Sequence, residues 1–182
     1  MNTPDVPLAD LFQTHRDGLT GAVRGVLGGG GDVAEVLQDA FLKCWKALRG
    51  GEVPRDPVAW IFVVVWNVAV DARRRGQRRP VHASLDQENA VELQVDLSPS
   101  HAAEVRDEFA LAQAAIEMLT DPVKQVFLLR ASGGLTFEAV AEALSIPVGT
   151  AKTRMRSALQ ELRQRLGGTA GTSDDTARRT QR

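Results

Sequence analysis

The chain has 182 residues, 43% of them hydrophobic and 25% charged, and a formal net charge of −1. That length admits one medium domain or two small ones, and the balance is that of a soluble globular protein. Its single cysteine, Cys44, excludes an internal disulfide and any multi-cysteine zinc site. His15, His82 and His101 are scattered, and neither a phosphate loop nor metal-ligand spacing is present, so no enzyme, metal site or cofactor is expected. The opening MNTPDVPLAD is acidic and lacks the apolar core of a signal peptide. The most apolar stretch, Ala59 to Val70, is too short to span a bilayer, so the expectation is a cytoplasmic protein without membrane insertion.

The near-zero net charge conceals a pattern. Residues 61–79 carry +4, residues 80–122 carry −8, and residues 123–166 carry +4 again. Two basic patches flank an acidic connector, which suggests two nucleic-acid-facing modules that should not bind each other's footprint.

The first module reads as all-helical. Leu8, Leu11, Phe12, Leu19, Val23, Val26 and Leu27 mark one helix, ended by four glycines from Gly28 to Gly31. Asp32 caps the next helix, with Glu35 as its capping-box partner. Its apolar stripe is Val33, Val36, Leu37, Ala40, Phe41, Cys44, Trp45 and Leu48, which makes Cys44 a buried thiol. Glu35, Gln38, Asp39 and Lys43 face outward. After Gly50-Gly51, Asp56-Pro57 offers a cap followed by proline at the first helical position, and a third helix is predicted from about Val58 to Arg75.

Beyond Arg79 no period is sustained through residue 105, which predicts a flexible acidic linker. Helical spacing returns near Phe109, Ala112, Ile116 and Leu119, and again after Pro122 with Val123, Val126, Phe127 and Leu129. Thr136 is placed to cap a helix bearing Phe137, Val140, Ala141 and Leu144. Ser145 to Thr150 breaks the pattern, with Pro147 unable to donate and Gly149 free to take backbone angles that other residues resist. A last helix carries Ala151, Met155, Ala158, Leu159, Leu162 and Leu166 on one stripe. At about 100° per residue, Lys152, Arg156 and Arg163 flank the stripe on one side, and Arg154 and Arg165 on the other. Thr150, Thr153, Ser157, Gln160 and Gln164 project between them. Flanking cations suit phosphates, small polar groups suit base edges, and the whole is a helix-turn-helix able to enter a major groove. The Gly/Thr-rich tail from 167 to 182 is expected to be disordered.

Three motifs in this order resemble the extracytoplasmic-function (ECF) class of bacterial sigma factors. The first is Asp32-Val-Ala-Glu-Val-Leu-Gln-Asp-Ala-Phe-Leu-Lys-Cys-Trp45. The second is Ala59-Trp60-Ile61 with Asn67-Val-Ala-Val-Asp71 and Arg73-Arg74-Arg75. The third is Leu135-Thr-Phe-Glu-Ala-Val-Ala-Glu-Ala-Leu with Ile146-Pro-Val-Gly-Thr-Ala-Lys-Thr-Arg154. The resemblance implies an all-α protein of two small helical domains. Sigma region 2 would occupy 8–79, an acidic linker 80–108, sigma region 4 109–166, and the tail 167–182.

It also implies roles. Glu35, Gln38 and Asp39 would meet the clamp helices of the largest subunit of core RNA polymerase. Asn67, Trp66, Arg73, Arg74 and Arg75, with Arg78 and Arg79, would hold the opened −10 strand, and the loop from Gly50 to Asp56 would accept a flipped base. Thr150, Lys152, Thr153, Arg154, Arg156 and Ser157 would read the −35 duplex. The linker would thread the polymerase's nucleic-acid channel, and an anti-sigma factor would mask the polymerase-binding faces. The chain departs from the family at Phe62-Val63-Val64-Val65-Trp66, which lacks the usual cations. It departs also at Ser157 and Leu159, where many members carry arginine, and at Thr120-Asp121-Pro122, which replaces a Leu-Pro start. The alternative is a stand-alone helix-turn-helix regulator, or a sigma-like protein unable to melt DNA.

Overall fold

A computed structural model describes residues 7–28, 30–78 and 99–167, and these form eight α-helices without strands. Helices α1 (Leu8–Thr14), α2 (Arg16–Leu27), α3 (Val33–Arg49) and α4 (Pro57–Arg78) build the first module, with α4 packed against both α2 and α3. Helices α5 (Pro99–Glu117), α6 (Asp121–Ala131), α7 (Phe137–Ala143) and α8 (Val148–Gly167) build the second, gathered around α8. The tail and most of the linker lie outside the described residues.

Side-chain caps set three of the helix starts. The Asp32 carboxylate accepts from the backbone N–H groups of Ala34 and Glu35 at 2.8 and 3.1 Å, and Asp56 accepts from Ala59 at 2.9 Å. Thr136 caps α7 by accepting from Ala139 at 3.1 Å. Each such cap satisfies helix-end donors that would otherwise lack a partner.

Four expectations are corrected. The single helix read over 8–27 is two, because His15 (φ −102°, ψ 15°) falls out of helical geometry. There its ring meets Phe62 edge-on, with centroids 6.1 Å apart. Trp45 is not in the core: it is 44% exposed, with the Arg49 guanidinium 4.9 Å from its ring. The left-handed residue of the helix-turn-helix is Ser145 (φ 52°), while Gly149 lies within α8. The turn closes through Ile146 N–H to Ala141 O at 2.9 Å, the six-residue closure typical of a left-handed helix stop. Helix α5 begins at Pro99, inside the stretch read as linker.

The largest core runs through both modules. Phe62, Ile61, Val65, Val68, Val23 and Val26 are buried with Val126, Leu128, Leu129, Val140 and Ala151 of the second module. A smaller cluster of Ala115, Leu119, Ala158 and Leu162 fixes α5 to α8. The two modules share this core and so pack directly against each other. They meet through α2 and α4 on one side and α5, α6 and α7 on the other.

Candidate nucleic-acid interface

The reading helix α8 is held to its supports by its small apolar face, with Ala151, Ala158 and Leu162 buried. Its opposite face presents Lys152, Thr153 and Arg156 as exposed, and Arg154 and Ser157 as half-buried, with Thr150 half-buried at the first turn. Lys152, Arg156 and Arg163 stand about 6 and 10 Å apart along the axis at 1.5 Å per residue. Among the described residues none of these cations forms an ion pair. The Thr153 hydroxyl donates to Gly149 O at 2.9 Å, so its donor is spent inside the helix. The ring of Phe137, at the start of α7, has the Arg130 guanidinium 4.6 Å and the Lys152 ammonium 5.9 Å from its centre. Arg130 also donates to Leu135 O, tying α6 to the strand of chain that enters α7.

On α4 the sequence candidates divide. Asn67, Arg74 and Arg75 are exposed and lie toward the C-terminal half of the helix. Trp66 is only 5% exposed, and Phe62 and Val65 are fully buried. Arg73 does not face solvent freely: its Nη2 donates to both carboxylate oxygens of Asp121 at 2.8 and 2.9 Å. Arg79 lies outside the described residues. Trp60 is half-buried, and its indole N–H donates to the Glu52 carboxylate at 2.9 Å, anchoring the 50–56 loop. That loop exposes Val53.

On α3, Glu35 and Gln38 are exposed and Asp39 is half-buried, so the three lie along one edge of the helix. Asp39 shares a cleft with Lys43, Asp71, Arg74 and Arg75, which brings the acidic edge of α3 beside the basic end of α4. Cys44 lies beneath this face, fully buried, and burial pushes its thiol up to about 12, with the nearby Glu52 charge acting in the same direction.

The structure brings together groups that periodicity did not connect. A cleft of about 450 Å³ is lined by Trp66, Asn67, Val70, Asp71 and Arg74 of α4, by Asp121, Pro122 and Gln125 of α6, and by Arg154 of α8. Candidate strand-holding and duplex-reading residues thus share one space. Lys124 is 2% exposed and donates its ammonium to Glu117 O at 2.9 Å. Burial and then the Arg73 charge hold its pKa below the usual lysine range, while Asp121 and Glu117 act the other way. Its long stem on an otherwise apolar stripe was the only sequence signal of that position.

Two family models match the chain. Sigma-70 region 2 covers residues 11–79, and Sigma-70 region 4 covers residues 109–162. The ECF RNA polymerase sigma factor SigK of Mycobacterium ulcerans is 31% identical over 147 residues, spanning 80% of this chain and 78% of its own. SigK of Mycolicibacterium vanbaalenii is 28% identical over 163 residues, spanning 87% of this chain and 81% of its own. Among solved structures, CnrH in complex with the cytosolic domain of CnrY superposes with a TM-score of 0.64 at 22% identity, covering 88% of each chain. The sigma factor RpoE of Bartonella quintana, solved with the anti-sigma factor NepR, gives a TM-score of 0.61 at 18% identity over 88% of this chain and 97% of its own. These two show a shared fold. Among the described residues no helix is long and apolar enough to cross a membrane. With both regions matched in order and a relative above 30% identity across most of its length, this chain belongs to the ECF sigma factors, which direct RNA polymerase to promoters in transcription initiation.

Proposed function

We propose that within this activity the work is divided residue by residue. Lys152, Arg154, Arg156, Thr150, Thr153 and Ser157 read the −35 duplex, the cations on phosphates and the small polar groups on base edges. Asn67, Trp66, Arg74, Arg75 and Arg73 hold the displaced −10 strand. Glu35, Gln38 and Asp39 dock on the clamp helices of the polymerase. The protein acts in the cytoplasm, performs no catalysis of its own, and is held by an anti-sigma factor, a partner with which RpoE of Bartonella quintana is found in complex.

The observation that carries this reading is the exposed row of Lys152, Arg156 and Arg163, which form no ion pair among the described residues, on a helix whose other face is locked into the module. Phosphate neutralisation supplies much of the affinity of such a helix for DNA. Run-off transcription with purified core polymerase tests it: the chain should yield a transcript, and Lys152→Ala with Arg156→Ala should abolish it while leaving polymerase binding intact.

A second reading, a sigma that docks but melts DNA poorly, is favoured by one observation. No cation occurs at 62–66, and three of those five side chains are buried. Comparing duplex with pre-melted promoter separates the two. Activity confined to the pre-melted template supports the second reading.

A further inference from the structure

We infer that Gly149 and Thr153 form a base-reading notch on α8, selective for an A·T pair within the −35 duplex. The inference rests on the assignment of α8 to that duplex and deepens it to the identity of one base pair.

Gly149 is a glycine that the fold itself does not require. It lies in the first turn of α8 and has no positive φ. It is exposed, and no described atom lies within 4 Å of a Cβ built on it. Gly25 and Gly133, by contrast, have neighbours 2.7 and 2.6 Å from that position. Glycine weakens a helix relative to alanine, so neither backbone geometry nor internal packing accounts for its presence here. What it provides is room on the outer side, for a body that approaches the helix at this turn.

Thr153 stands one turn further on, about 6 Å along the axis at 1.5 Å per residue. Helical side chains lean toward the N-terminus, so Thr153 lies over the patch that Gly149 leaves bare. Its hydroxyl donates to Gly149 O at 2.9 Å. That bond selects one of the two χ1 wells threonine uses in a helix, which holds the hydroxyl and the γ-methyl in fixed places. It also leaves the oxygen as an acceptor with no free proton.

An acceptor beside a methyl matches one pattern on the major-groove edge. An A·T pair offers the adenine N6 amino donor together with the thymine methyl. A C·G pair offers an amino donor without the methyl, and guanine N7 and O6 are acceptors that a second acceptor repels. The N-terminal residues of a recognition helix are those that reach base edges. Lys152 and Arg156, both exposed, set the depth of the helix through phosphates. With no side chain at 149 the pair can come against the Thr153 methyl, whereas an alanine would stand between them.

Run-off transcription by the holoenzyme from templates randomised over the −35 segment tests this. The wild type should select A·T at one pair. At that pair deoxyuridine in place of thymidine removes the methyl, and deoxynebularine in place of deoxyadenosine removes the amino group. Each should cost about fivefold. Thr153→Val should lose the response to nebularine and keep that to uridine, and Thr153→Ser should do the reverse. Gly149→Ala should cut transcription at least about tenfold while its unfolding midpoint stays level or rises.

Unchanged preference at every pair in Thr153→Val, a pair other than A·T responding to it, or identical responses of both Thr153 variants to the two analogues overturns the notch. So does Gly149→Ala transcribing like the wild type, or unfolding more easily, which would make the glycine structural. A wild-type chain giving no transcript refutes instead the promoter assignment on which the notch rests.

Discussion

Replacing Arg156 by alanine separates a DNA-reading helix from an ordinary charged one. Arg156 is exposed and unpaired among the described residues, so its removal should change folding stability by no more than about 0.5 kcal/mol. Its effect on binding follows from counterion release. One phosphate contact on B-DNA contributes about 0.9 to the slope of log affinity against log salt, and its contribution becomes small near 1 M. The expected loss is then about 15-fold at roughly 50 mM salt, shrinking to about fourfold at roughly 200 mM. Fluorescence titration of a −35 duplex by the full chain over that range measures both slope and intercept. Wild type and variant should converge as salt rises. Parallel lines would refute the phosphate contact, and coincident lines would remove Arg156 from the interface altogether. Arg73→Ala is the internal comparison. Because Asp121 already engages that guanidinium, its effect on the free chain should be smaller at every salt concentration.

Three further outcomes follow. Asp32→Ala removes two cap bonds from α3 and should cost about 1 kcal/mol in denaturant unfolding, with no change in DNA affinity. Arg130→Ala deletes the bond to Leu135 O and the guanidinium against Phe137, and should cost about 2 kcal/mol and loosen Lys152, read as weaker −35 binding beyond the loss of stability. Cys44 should resist alkylation in the native chain at pH 8 and react fully once unfolded. Since its folded pKa is raised to about 12 from 9.0, the neutral thiol's stabilising contribution is complete below about pH 9 and is lost as pH climbs toward 12, so Cys44→Ala should flatten the alkaline limb of the stability profile.

Much of the first module and the helix-turn-helix could be read from spacing, because an apolar stripe of helical period and a side chain able to cap are both local. Asp32, Asp56 and Thr136 all cap where their types and neighbours indicated. What escaped was decided by distant contacts. Trp45 has the right phase for the core, yet Cys44 and Leu48 take the buried positions at that end of the stripe and Trp45 is left at its margin beside Arg49. Lys124 has the wrong chemistry for burial, yet Glu117 O and the flanking carboxylates receive its ammonium. The Gly149 expectation failed because Ser145, a residue with a short polar side chain, takes the left-handed turn one helix-end earlier. Gly18, Gly21 and Gly25 escaped the sequence reading. Their meaning depends on Ser132 and Leu128, more than a hundred residues away.

The missing cations of α4 acquire a physical reason in this packing. Phe62 and Val65 are fully buried and Trp66 nearly so, and a charge at any of them would have to be desolvated at a cost of several kcal/mol. Only Val63 and Val64 have partial access to solvent. The helix thus trades phosphate contacts in its N-terminal half for adhesion to its neighbours, and its free charge is concentrated at Arg74 and Arg75. Under the proposed division of roles, capture of a displaced strand would begin at the exposed Asn67 and proceed toward Arg74 and Arg75, away from the buried N-terminal half.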